Sequence, residues 1–295
     1  MASSLNMEFL DALPERYGKN LSDWEPLYSL IRDHKIGRFL QSMGYTYVHV
    51  GSWWWPTRSN PNAGMNIHYL APPLTLMDLV YDNVFGPFHH DLGRSVSILN
   101  SRFQQWKQLN YEFERLSQLP RMRGPMLVFA HILTPDDPVF RRDGSFVTAE
   151  EIFSLRYEEI YRNQLEALNQ KLERLVDRLK SDSSAPPIIV LQSGEGPSPF
   201  RYRDEEEDFL WERATVSEIR EKTGILNAYH LPGVDAKDLY PGITPVNTFR
   251  LILKVYFGAN LELLPDRVFA QVSDRAPYSF FDITDRIGGV GKPEQ

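Results

Sequence analysis

Four short apolar runs are spread along this chain: YTYVHVG at 45–51, MLVFAHI at 126–132, IIVLQS at 188–193 and ILNAYHL at 225–231. Each has strand length and is rich in β-branched, Leu and aromatic residues. The stretches between them carry helical periodicity. Residues 21–43 place Trp24, Leu27, Leu30, Ile31, Phe39 and Leu40 near that spacing, with Gly44 as a stop signal. LTLMDLVYDNVF at 74–85 predicts a short amphipathic helix, and 93–119 a longer one with Ile98, Phe103, Trp106, Leu109, Phe113 and Leu116 on one stripe. Thr148 and Glu151 have capping-box spacing and open the strongest helical pattern, which runs to the SDSSAPP loop. TPVNTFRLILKVYFG at 244–258 predicts a further helix, with Thr244 as N-cap, Pro245 at the first helical position and Gly258 near the C-cap. Strands alternating with helices predict an α/β fold around a largely parallel sheet.

The 295 residues contain no repeat and no linker long enough to divide them, so one domain over 1–287 is expected, followed by a flexible tail at 288–295. A net charge of −7 argues against a nucleic-acid partner bound through phosphate neutralisation. Without cysteine, any metal must take oxygen or imidazole ligands. No apolar run approaches the roughly 18 residues of a membrane span, and Met1-Ala2-Ser3-Ser4 does not read as a secretory signal.

In open α/β sheets, ligands collect where strands end at their carboxyl side. His131 ends the second apolar run and is followed by Asp136, Asp137, Arg141, Arg142 and Asp143. A histidine with nearby carboxylates suits a divalent cation or an anionic substrate, whereas PDDP and RRDG also suit plain turns. Glu195, flanked by Gly194 and Gly196 with Arg201 and Arg203 behind, suits a hard cation or an oxyanion, or an ordinary loop. DEEEDF at 204–209 reads as a solvated acidic face. In SWWWPTR, three adjacent tryptophans cannot all pack one way. Two readings stay open for the loop of Trp53, Trp54 and Trp55: stacking on sugar or headgroup atoms, or folding back as a lid on the core. Arg58 suits a bidentate phosphate or sulfate, or simply holds the loop. Asn247 and Arg250 read as architectural, and His230 as a packed, satisfied histidine.

GYTYVHVGSWWWPTR, FAHILTPDDPVFRRDG, IIVLQSGEGP, ILNAYHLPGVDAKDLYPGITPVNTFR and YFGANLELLPDR, in this order, resemble a bacterial group of sulfatase-like membrane proteins. That group belongs to the alkaline phosphatase superfamily and is distantly related to lipoteichoic acid synthase and phosphoethanolamine transferases. The likeness runs from Ala2 to about Asp285. It implies a three-layer α/β/α sandwich with a mostly parallel mixed sheet, missing its first strand or strands. It also implies a metal-dependent hydrolase or transferase acting on phosphate or sulfate esters of cell-envelope lipid or glycan.

On this likeness His131 contacts the transferred group and Asp136 stands on the substrate; Trp53, Trp54, Arg58 and Arg201 are the further residues expected to bind it. Glu195 holds a divalent ion (Mn, Zn, Mg or Ca) in the slot where such enzymes carry an Asp-His pair. Gly194 stands where the Asp would be, and Asp136 where relatives often carry a second histidine. The family's nucleophile and first metal ligands precede the segment matched by ASSLNMEFL, as do its membrane helices. The likeness therefore implies a truncated catalytic domain, inactive alone, whose full-length parent lies on the extracytoplasmic face of a bacterial membrane. The alternative is a degenerate, non-catalytic binding module with a carbohydrate- or headgroup-recognising aromatic loop.

Overall fold

The computed structural model describes residues 1–19, 21–69, 101–135, 139–205, 208–235 and 239–288. The helix expected at 74–85, the first residues of the one expected at 93–119, Asp136 and the tail from 289 onward lie outside them. The chain is mixed α/β with a small parallel sheet. Its strands are β1 (Thr46–Val50), β2 (Met65–Ile67), β3 (Met126–Ala130), β4 (Ile189–Gln192), β5 (Asn227–His230), β6 (Phe269–Gln271) and β7 (Phe280–Asp282). Its helices are α1 (Ala2–Asn6), α2 (Leu13–Tyr17), α3 (Glu25–Arg32), α4 (Lys35–Ser42), α5 (Trp55–Arg58), α6 (Ser101–Gln118), α7 (Ala149–Ser154), α8 (Tyr157–Asp182), α9 (Phe200–Glu205), α10 (Val216–Thr223) and α11 (Pro245–Phe257). They fall into two compact units, one of residues 43–186 and one of residues 1–42 with 187–295.

In the continuous unit, β1 lies between β2 and β3, parallel to both, with Val50 paired to Ile67 on one side and Ala130 on the other. A central parallel strand is covered on both faces, which explains why Tyr47, Val48, His49 and Val50 are all buried instead of alternating. Val48, Val50 and Ile67 join Phe113, Leu116, Leu119 and Leu175 in one apolar cluster, so α6 and α8 cover this sheet. Each such side chain contributes roughly 1.5–3 kcal/mol by leaving water. Directly after β1 the backbone must turn under α5. A Cβ on Gly51 would lie 2.0 Å from the Arg58 carbonyl oxygen, so only glycine fits there.

The helical pattern after Thr148 is interrupted. The capping box of Thr148 and Glu151 forms as expected and starts α7, but the chain extends at Leu155 and Arg156 before α8 begins. Residues 21–43 likewise form two helices, because the buried His34 accepts the Gly37 N–H on Nδ1 at 2.9 Å and caps a new start.

In the other unit, β4 pairs with β5 antiparallel, Ile189 opposite His230 and Gln192 opposite Asn227. The largely parallel sheet expected from strand–helix alternation is therefore realised in β1–β3, not here. An antiparallel β6–β7 pair, unmarked in the apolar pattern, closes the chain and packs with Phe209, Trp211, Ile219 and Ile283. The helix expected at 244–258 is α11, with Gly258 left-handed at φ 63° in its C-cap. Thr244 is its N-cap with Pro245 following, as expected, but the hydroxyl makes no capping bond and donates instead to Asp266 Oδ1 at 2.6 Å. Asp266 also accepts from Tyr240 and Asn247, and Asn247 clasps the Leu264 backbone with both ends of its amide. Burial opposes the Asp266 charge, yet these donors hold its pKa below the usual carboxylate value.

Candidate functional site

At the carboxyl ends of β1 and β3, a chain of hydrogen bonds connects two strands and the tryptophan loop. Asn60 Nδ2 donates to the Tyr47 hydroxyl at 3.1 Å, and that hydroxyl lies 3.3 Å from His49 Nδ1. His49 Nε2 is 2.8 Å from the Thr57 carbonyl oxygen, which also accepts the Ser52 N–H at 3.2 Å. A carbonyl only accepts, so His49 carries its proton on Nε2 and takes the Tyr47 O–H on Nδ1. Burial lowers the His49 pKa, which keeps the ring neutral.

The same Thr57 reaches His131. Its Oγ1 lies 2.8 Å from His131 Nδ1 and 2.8 Å from Ser52 Oγ, and Ser52 Oγ accepts the Trp54 N–H at 3.1 Å. Ser52 and Thr57 are buried, so neither hydroxyl is presented to a substrate. The Trp54 ring meets the His131 ring edge-on at 5.6 Å. Burial pushes the His131 pKa down to about 4, so the imidazole is neutral at physiological pH. This end of the sheet therefore offers a neutral imidazole, held from one side by a threonine and bordered by an indole.

The three tryptophans divide their roles. Trp53 packs against the cluster of Leu109, Val139, Phe140 and Ala167, as in the lid reading. Trp54 borders His131, and Trp55 is 62% exposed. Arg58 is exposed at the end of α5.

Glu195 and Arg201 belong to the other unit of the chain. Glu195 is half-exposed and forms an ion pair with Lys222 at 2.8 Å. Gly196 is needed for close approach, since a Cβ there would lie 2.2 Å from the Glu221 carbonyl oxygen, whereas nothing lies within 4 Å of a Cβ on Gly194. Arg201 forms a bidentate pair with Glu218, both bonds 2.9 Å, and lies over the Phe209 ring. Glu218 is the capping-box acid of α10, and Arg201 foremost among its partners pulls its pKa down to about 2. Arg201 is thus engaged in holding a helix start. His230 donates from Nδ1 to the Pro187 carbonyl at 2.8 Å, in line with the packed reading. Arg250 donates to the Met7 and Glu262 carbonyls, also architectural.

Sequence reasoning missed Ser52 and Thr57, although both stand in the quoted loop. Small hydroxyl residues beside three tryptophans carry no periodic or motif signal, and only folding places them between β1 and His131. No protein-family model, no curated protein and no solved structure matches the chain.

Proposed function

We propose that this protein acts on phosphate or sulfate esters as a metal-dependent hydrolase or transferase, the ester being carried by a cell-envelope lipid or glycan at the extracytoplasmic face of a bacterial membrane. The proposal includes the α/β/α sandwich of the sulfatase-like proteins that the sequence resembles. One observation carries it: His131, at the carboxyl end of a parallel strand, is kept neutral by burial and gripped at Nδ1 by Thr57. A neutral, oriented imidazole is suited to hydrogen-bond an ester oxygen, and the exposed Arg58 supplies positive charge on the adjoining helix.

A cation at Glu195 would compete with Lys222, Gly194 adds no ligand, and among the described residues no three His, Asp or Glu side chains gather as cation ligands. These residues do not compose a metal cage, so the chemistry assigned here is confined to His131 and Arg58 holding the anion.

The Glu195–Lys222 pair favours a second reading, a non-catalytic module that binds carbohydrate or headgroups through the aromatic loop, where Trp55 is 62% exposed. Calorimetric titration with inorganic phosphate and sulfate, with and without Mn²⁺ or Zn²⁺, separates the two. The ester reading expects anion binding that is lost in His131→Ala. The module reading expects no metal uptake, and oligosaccharide-induced fluorescence changes that vanish in Trp54→Ala. Failure to bind either anion sinks the ester reading.

A further inference from the structure

The Ser52–Thr57–His131 chain has two proton arrangements in which every bond runs the same way along it, and they present different chemistry on the outer nitrogen of His131. In the first, Ser52 Oγ–H donates to Thr57 Oγ1, and Thr57 O–H donates to His131 Nδ1, leaving the proton of the neutral ring on Nε2. In the second, Nδ1–H donates to Thr57, Thr57 donates to Ser52, and Nε2 carries a lone pair. Distances alone do not choose, since both contacts are 2.8 Å.

The Trp54 N–H chooses. It donates to Ser52 Oγ at 3.1 Å in either case, so Ser52 accepts one bond from the backbone already. In the second arrangement Ser52 also accepts from Thr57, and its own hydroxyl proton has no acceptor among the described residues although Ser52 is 1% exposed. In the first arrangement every hydroxyl proton of the chain is bonded. A buried donor without an acceptor is what folded proteins avoid most consistently, so the first arrangement prevails. Thr57, 0% exposed, can hold this position because its carbonyl is fixed by His49 Nε2–H and the Ser52 N–H.

We propose that Thr57 is a positioning residue that fixes His131 as the Nε2–H tautomer, so that this histidine acts on its ligand as a hydrogen-bond donor and not as a base or a metal ligand through Nε2. The ligand class that follows is an anionic or carbonyl oxygen. This deepens the ester-handling reading and rests on it for the ligand, while the tautomer itself is measured without any ligand.

Long-range ¹H–¹⁵N correlation spectra of the whole ¹⁵N-labelled chain at neutral pH, with His131 assigned by its loss in His131→Gln, read the tautomer directly. The expected spectrum shows an unprotonated Nδ1 and a protonated Nε2. Thr57→Val is expected to bring the ring into tautomeric exchange, and Thr57→Ser to restore the fixed state. A protonated Nδ1 in the unsubstituted protein overturns the proposal even if no variant folds, as does a Thr57→Val spectrum identical to it. Phosphate-induced shifts are scored separately: their absence beside an intact Nε2–H tautomer counts against ester handling and leaves the role of Thr57 standing.

Discussion

Glu112 shows how much one side chain departs from what its type predicts. It is 1% exposed on α6, and neither carboxyl oxygen has a hydrogen-bond partner among the described residues. Gln108, one turn earlier, directs its amide to the Gly51 carbonyl at 3.1 Å and gives Glu112 only a weak opposing pull. Burial therefore pushes the Glu112 pKa up to about 8. The folded chain keeps this proton between pH 4.5 and about 8, where an unfolded chain releases it, so the native state loses stability as pH rises through that window. Glu112→Gln keeps the shape without the ionisation and is expected to stabilise the protein by on the order of 3 kcal/mol at pH 8. At pH 4.5 it should change little. Urea unfolding at the two pH values checks this, and an equal effect at both would count against a buried protonated carboxyl. His131 acts in the opposite sense. Its pKa is lowered to about 4 by burial, so its contribution is complete above its ordinary 6.5 and is lost as pH falls towards 4.

At the scale of elements, local signals and tertiary contacts are separable. The capping boxes at Thr148 and Thr215 form from four consecutive residues each and need no distant partner, so the first could be read directly. The third turn of α8 is different. Gln164 is 1% exposed and replaces a strand neighbour for the segment at 139–140: its Oε1 accepts the Val139 and Phe140 N–H groups, each at 3.0 Å, and its Nε2 donates to the Phe140 carbonyl. Nothing in a helical stripe marks such a glutamine as different from its exposed neighbours. Gln164→Leu keeps similar volume but leaves two buried N–H groups without acceptors, and is expected to cost about 2–4 kcal/mol, read as a lower urea midpoint. A loss below about 0.5 kcal/mol, the size of an ordinary surface change, would show that the clamp is not formed in solution.

For the whole molecule, the division into a continuous unit at 43–186 and a discontinuous one makes unequal demands on the chain. A fragment of residues 43–186 contains β1–β3 with α6 and α8 over them, and is expected to unfold cooperatively by circular dichroism. A fragment of 187–295 is expected not to, because residues 1–42 supply the Ser4 hydroxyl, which donates to Gln192, and the Met7 carbonyl, which accepts from Arg250, together with Phe9 against Phe269. The reverse outcome would refute this partition. The apolar runs, the helix starts and the α/β class were legible because they depend on residues near one another in sequence, where hydrophobic periodicity and capping act. The sequence also singled out His131 and the tryptophan loop as a candidate ligand-binding region. It took the folded chain to place Thr57 between them, to turn β5 antiparallel to β4, and to commit Arg201 to Glu218. Those outcomes depend on which buried donors find acceptors and which charges find partners, and such pairings join positions as much as 74 residues apart, a distance at which composition and spacing carry no information.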